Sequence, residues 1–170
     1  MLAAVTAALL LNACSNRSSS VRSYGLGEKV TLGHIIYTVY ETQWMPQLGD
    51  GPAARVPQHR FFLVRMTAVN SGSADLIVLV PNATIEDDKG HSYPELQNGD
   101  GVPQWIGYLR MVKPAESAQG NLVFDAPPAH YKLRLTDENE ENPAYVDIPL
   151  SFGAEVPPPE LPAPGGEKKQ

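Results

Sequence analysis

Between residues 27 and 152 the hydrophobic positions recur with a period of two. That is the spacing of strands with one buried face, not of helices. Ile35, Tyr37 and Val39 fall on one side of segment 34–43, and Phe62, Val64, Met66 and Ala68 alternate with Leu63, Arg65 and Thr67. Further runs rich in β-branched and aromatic residues occupy 76–80, 83–86, 108–112, 121–124, 131–135 and 145–150. Turn-forming clusters separate them: Asn70-Ser71-Gly72-Ser73, Asp87-Asp88-Lys89-Gly90, Asn98-Gly99-Asp100-Gly101, Ala126-Pro127-Pro128 and the acidic stretch 137–142. Gly72 is expected to take a positive φ after the strand ending at Asn70, and Gly90 to close a hairpin whose acids cap its polar end. Leu122 and Phe124 should face one way, Val123 and Asp125 the other. No window supports a long amphipathic helix, and Pro interrupts most candidates. Seven to nine short strands punctuated in this way predict an all-β fold, an antiparallel immunoglobulin-like β-sandwich.

The two ends follow other patterns. Residues 1–11 carry no charge and include Leu2, Val5, Leu9, Leu10 and Leu11. The run is too short for a bilayer core, which takes about 20 residues, but it suits the apolar segment of a secretory signal. It stops at Leu11-Asn12-Ala13-Cys14, which resembles the lipobox of bacterial lipoproteins. The resemblance implies removal of a signal peptide, 1–13, and attachment of a diacylglyceryl group to Cys14, the only cysteine of the chain. Palmitate-like acyl chains, at about 0.8 kcal/mol per buried methylene, then hold the protein on a membrane. Residues 14–26 read as the lipidated Cys and a flexible tether, 27–152 as the folded unit, and 153–170 as a disordered Pro-rich tail.

Within the folded unit, four segments stand in a telling order. They are Val30-Thr31-Leu32-Gly33 leading into a strand, the strand and turn 61–72, Ile85-Glu86-Asp87-Asp88-Lys89-Gly90-His91-Ser92-Tyr93, and Gly120-Asn121-Leu122-Val123-Phe124-Asp125-Ala126-Pro127. Their sequence and spacing resemble the domain of unknown function 4352 family of secreted bacterial proteins, over about residues 24–150. The resemblance implies a fold related to that of a mycobacterial secreted immunogenic antigen, and it brings no catalytic residues. The Pro-Gly that the family often places before the next strand reads Pro114-Ala115 here.

Charge and chemistry narrow the function. Thirteen Lys and Arg against nineteen Asp and Glu give a net charge of -6, which argues against a nucleic-acid partner. One Cys excludes an intramolecular disulfide framework and a Cys-rich zinc site. No Gly-x-Ser-x-Gly elbow, P-loop or His-Glu-x-x-His occurs, and Gly25-Leu26-Gly27 lacks both a preceding strand and a third Gly. The chain is therefore read as non-enzymatic and without a cofactor. His34, His59, His91 and His130 occur singly and are read as surface or strand-end residues, with no metal. Asp137, Glu138, Glu140 and Glu141 lack the rhythm of a calcium loop and are read as a solvated hairpin tip.

Two long connections, 45–58 and 96–106, remain; loops of that length are often functional or mobile. Trp44, Trp105 and Tyr108 are the candidate binding residues they offer, for a peptide or a glycan. The preferred reading has the tryptophans plugging the ends of the sandwich, as large aromatics commonly do. Together these features predict a non-catalytic lipoprotein of the cell envelope, a binding module for another envelope protein. A glycan-binding module is the alternative, and a metal carrier or enzyme assembled from dispersed His and acidic residues is the rival from another class. In a two-membrane organism Ser15, without the Asp that marks inner-membrane retention, implies the outer membrane, facing the periplasm.

Overall fold

The computed structural model describes residues 22–78, 83–108, 110–139 and 141–150. Cys14, the expected signal, the first part of the tether and the Pro-rich tail lie outside the described residues. Among the described residues there are eleven strands: β1 (Ser23–Tyr24), β2 (Lys29–Leu32), β3 (Ile35–Met45), β4 (Phe61–Asn70), β5 (Leu76–Val78), β6 (Thr84–Asp87), β7 (Ser92–Pro94), β8 (Arg110–Val112), β9 (Ser117–Asp125), β10 (Tyr131–Leu135) and β11 (Ala144–Ile148). They form one sheet of order β1-β11-β10-β6-β7, a second of order β2-β3-β4-β9, and a β5-β8 ribbon. Pairing is antiparallel except that β1 runs parallel to β11, with Ser23 opposite Tyr145. The strand count exceeds the expected seven to nine because β1 and β7 span two and three residues, too few to show an alternation.

The expected faces meet in the core. Ile35, Tyr37 and Val39 from β3, Phe62, Val64, Met66 and Ala68 from β4, and Leu122 and Phe124 from β9 pack with Ile85, Tyr131, Leu133, Val146 and Ile148 of the other sheet. Parity along β3 then changes. The register with β4 slips between Val39 and Glu41, a bulge that leaves Tyr40 outward with its hydroxyl 2.8 Å from Thr67 Oγ1. One extra residue inverts which positions face inward. Beyond it the even-numbered Trp44 turns to the core, stacked on Phe62 with ring centroids 4.3 Å apart.

The turn after β4 works differently from expectation. Gly72 is not among the residues with positive φ; its small size matters instead, since a Cβ there would lie 3.1 Å from His34 Cβ. The buried side chain of Asn70 sets the turn. Its Oδ1 accepts from Gly72 N–H (2.8 Å), and its Nδ2 donates to Ala74 O (2.6 Å) and Val112 O (2.9 Å). Asn70 thus ties the end of β4 to β8, with every polar atom of its amide used. Gly90, by contrast, does close the β6–β7 hairpin with φ 84°, and Asp87 Oδ1 accepts from Lys89 and His91 N–H as the capping acid.

Ala115 occupies the left-handed region at φ 63° while its N–H donates to Asn70 O. A side chain with a Cβ costs roughly 1–2 kcal/mol in that conformation, partly offset by the greater unfolded-state freedom of Gly. Ala115→Gly is therefore expected to stabilise the fold by about 0.5–1 kcal/mol, read as a higher urea midpoint with an unchanged m-value.

The chain leaves the first sheet at Glu95, just past β7. Its N–H donates to Ala83 O, and the next residue, Leu96, donates to Val123 O of β9 in the second sheet. Glu95 is only 8% exposed, and neither carboxyl oxygen has a hydrogen-bond partner among the described residues. Burial pushes its pKa up to about 9, so the group is a neutral acid in the folded protein at physiological pH.

Candidate functional site

The outer face of the β2-β3-β4-β9 sheet is where the two long connections meet. A half-buried strand should show polar residues on that face, yet Phe61, Leu63 and Val123 are buried there with Leu48 and Val102, backed by Met45, Leu96 and Trp105. The loops form this second cluster by clamping one another. Leu48 and Arg55 exchange backbone hydrogen bonds of 3.0 and 2.8 Å. The Arg55 guanidinium donates to Asn98 O and Asp100 O, both at 2.8 Å, and lies 5.5 Å from the centroid of the Phe61 ring. Gly101, at φ +75°, approaches Leu48 and Gly49 so closely that a Cβ would lie 2.8 Å from Gly49 N. Neither connection is an unattached loop.

Residues 102–106 lie along β9. Asn121 N–H donates to Gln104 O (2.9 Å), Ile106 N–H to Asn121 O (3.2 Å), and Asn121 Nδ2 to Pro103 O (2.6 Å). Gly120 permits this docking: a Cβ would stand 2.5 Å from Gln104 O and 2.7 Å from Ile106 N. Gln104 pays with a left-handed φ of 46°, the kind of local strain that surrounding contacts must hold in place.

The docked segment forms the wall of a polar cleft of about 250 Å³. Its floor comes from alternate residues of three strands: Glu41 and Gln43 of β3, Leu63 and Arg65 of β4, and Asn121 of β9, with Pro103 and Gln104 as the wall. Arg65 stands directly opposite Glu41 on one side and Asn121 on the other. It is half-buried, and it makes no ion pair among the described residues.

The structure does not bring the three candidate aromatics together. Trp44 packs on the main core between the sheets, with Phe62 and Tyr131 as ring neighbours. Trp105 lies on the opposite face of the same sheet, against the outer cluster, with its Nε1 buried and unpartnered among the described residues. Tyr108 is 37% exposed. The alternation of β3, read without its bulge, assigns Trp44 to the wrong face.

Histidine is not scattered idly. Each imidazole is held by a carboxylate: His34 by Glu138 (2.6 Å), His59 by Asp125 (3.5 Å), His91 by Asp87 (2.8 Å), and His130 by Asp88 (3.0 Å) and Asp147 (2.9 Å). With an acid on each ring nitrogen, His130 is favoured as imidazolium. Its hydrogen bond to Asp88 and the charge of Asp147 raise its pKa against a smaller opposing effect of burial. The acidic tip is likewise tied down rather than simply solvated. Asp137 is 3% exposed and accepts from Asn139 N–H, Glu141 N–H and the Asn142 amide, while Glu138 also accepts His34 N–H. None of these pairs was read from the sequence; only Asp87–His91, with its i,i+4 spacing across a hairpin, carries a local signal that could have found it. No group of three or more His, Cys, Asp or Glu side chains among the described residues is arranged to hold a metal ion. No described helix is long and apolar enough to cross a membrane.

The model of a domain of unknown function, DUF4352, matches residues 24–142. The chain belongs to this family. Solved structures share the DUF4352 domain's sandwich. The secreted protein MPT63 from Mycobacterium tuberculosis is 14% identical, with a TM-score of 0.58, over 78% of this chain and 99% of that one. An uncharacterised β-sandwich protein from Clostridium difficile is 11% identical, TM-score 0.53, over 75% and 94% of the two chains. A Bacillus subtilis protein, ycdA, described as a proposed lipoprotein, is 13% identical, TM-score 0.54, over 72% of this chain and 38% of that one. These likenesses show the fold of the DUF4352 domain. No curated protein matches its sequence.

Proposed function

We propose that this DUF4352 chain is a non-catalytic binding module of the bacterial cell envelope, lipid-anchored through Cys14, that engages another envelope protein. The observation that carries the binding part is the outer-face cleft. The two long connections are locked together, and the second of them, docked on β9, walls a polar recess with a half-buried guanidinium on its floor. Rigid loops presenting a few polar groups on a β scaffold are the usual form of a recognition site. The lipobox-like Leu11-Asn12-Ala13-Cys14 supports the anchor, and the secreted and lipoprotein descriptions of two structural neighbours agree with an envelope location.

Intact mass of the protein recovered from bacterial membranes tests the anchor, with Cys14→Ala alongside. The expected result is loss of residues 1–13 and a lipid-sized mass gain at Cys14, with the variant released into the soluble fraction. A full-length or unlipidated product overturns the lipid anchor at Cys14.

A further inference from the structure

We propose that the cleft floored by Arg65 binds a carboxylate side chain of an extended peptide segment in the partner protein. The inference rests on the binding-module reading and assigns it a ligand chemistry. Arg65 and Glu41 are direct cross-strand neighbours, a placement that commonly yields an ion pair, yet the two are not paired in the structure. The guanidinium therefore keeps its planar fork of donors, whose geometry matches a carboxylate in bidentate fashion. Because it is half-buried, a pair formed there is screened less by salt than one on an open surface.

The rest of the lining suits a peptide backbone. Gln43, Gln104 and Asn121 each carry an amide, a donor and an acceptor on one group, and Glu41 supplies an acceptor for N–H groups. The Asn121 amide already has one donor committed to Pro103 O, which fixes the amide in place. The charged groups facing Arg65 are few: Glu41 is the single other charged side chain of the lining. The cleft volume of about 250 Å³ falls below the roughly 300–1,000 Å³ of small-molecule pockets, and it fits one side chain with its flanking backbone. No aromatic side chain lines it, so a sugar ring would find no flat apolar platform there.

The test uses two blocked pentapeptides, acetyl-Ala-Gly-Glu-Gly-Ala-amide and its Gln counterpart, titrated into isotope-labelled protein. The backbone amides of Gln104 and Asn121 and the Arg65 Nε–H group are followed by NMR at low ionic strength. The expected result is a saturable shift of all three with the Glu peptide and at least about tenfold weaker binding of the Gln peptide. Arg65→Gln should abolish the difference between the peptides. Arg65→Lys, which keeps the charge but loses the fork, should recover only a minor part of it. Well-dispersed spectra of both variants confirm that they fold.

Equal shifts with both peptides would overturn the carboxylate assignment while leaving a peptide-binding cleft. Absence of any shift, or shifts produced by maltotriose instead, would overturn the peptide ligand altogether. Neither result bears on the lipid-anchor mass measurement, so the anchor reading stands or falls separately.

Discussion

Glu95→Gln is expected to stabilise the protein by on the order of 3 kcal/mol at pH 8 and by less than about 1 kcal/mol at pH 5. The sign follows from where the proton sits. In the unfolded chain the carboxyl titrates at the ordinary value of 4.5, whereas burial holds it at about 9 in the folded state. Between those two values the folded state carries a proton that the unfolded state has lost, so folding grows less favourable as pH rises through the window. Gln keeps the shape of the protonated acid and has no charge to release. Urea melts of both proteins at pH 5 and pH 8 give the comparison, with the difference between proteins as the quantity of interest. Other groups titrate too: His130 is raised, while Asp87, Asp137 and Glu138 are lowered because accepted hydrogen bonds outweigh their burial. These cancel in the wild-type-minus-variant difference. A stability gap that does not widen between pH 5 and pH 8 would show that Glu95 ionises without cost.

The second large effect belongs to Gly120. Gly120→Ala places a Cβ 2.5 Å from Gln104 O and 2.7 Å from Ile106 Cα. These are backbone atoms, so no flexible side chain can move aside. The expected cost is about 3 kcal/mol, near the top of the range for overpacking, and it arises because residues 102–106 must lift off β9. Lifting exposes Val102 and Val123 and removes the wall of the cleft. Limited proteolysis should then cut within 96–106 well before the rest of the domain, and the Glu pentapeptide should no longer shift the Asn121 amide. Gln119→Ala, at the neighbouring exposed position, is the control and should change stability by less than about 0.5 kcal/mol. Equal protease resistance of Gly120→Ala and wild type would mean that the close approach is not rigid.

Much of the sandwich was legible because its core strands alternate cleanly. Ile35, Tyr37 and Val39, and Phe62, Val64, Met66 and Ala68, could be assigned an inward face from spacing alone. The misses have particular causes. β9 starts at Ser117, but Gly120 and the polar residues around it erase the pattern there. The Gly is present to admit a loop whose arrival no local rule announces. The bulge at Tyr40 shifts parity by one, so a strict period of two carried past Val39 misplaces Trp44. Leu63 and Val123 looked like ordinary second-face hydrophobics, and what covers them comes from residues far along the chain. The cleft was invisible for the same reason: Glu41, Arg65 and Asn121 become neighbours only through strand register, and Gln104 joins them only when 102–106 docks on β9. The histidine pairs follow suit, with His34 and Glu138 104 positions apart.

The parallel pairing of β1 with β11 gives the domain a compass. Ser23 enters beside Tyr145, at the end of the sandwich that carries the His34–Glu138 contact. β11 runs away from that end, and its last residue, Ile148, lies beside Tyr131 at the other. β4 spans the same axis from Asn70, paired with Ile35, to Phe61, paired with Asp125; at about 3.3 Å per residue that is roughly 30 Å. The chain thus enters the domain at the His34 end, and the end bearing Tyr93, His59 and His130 lies farthest from that entry. Arg65 sits midway up the flank. A partner of the cleft would therefore meet the domain about halfway between its two ends rather than at a tip.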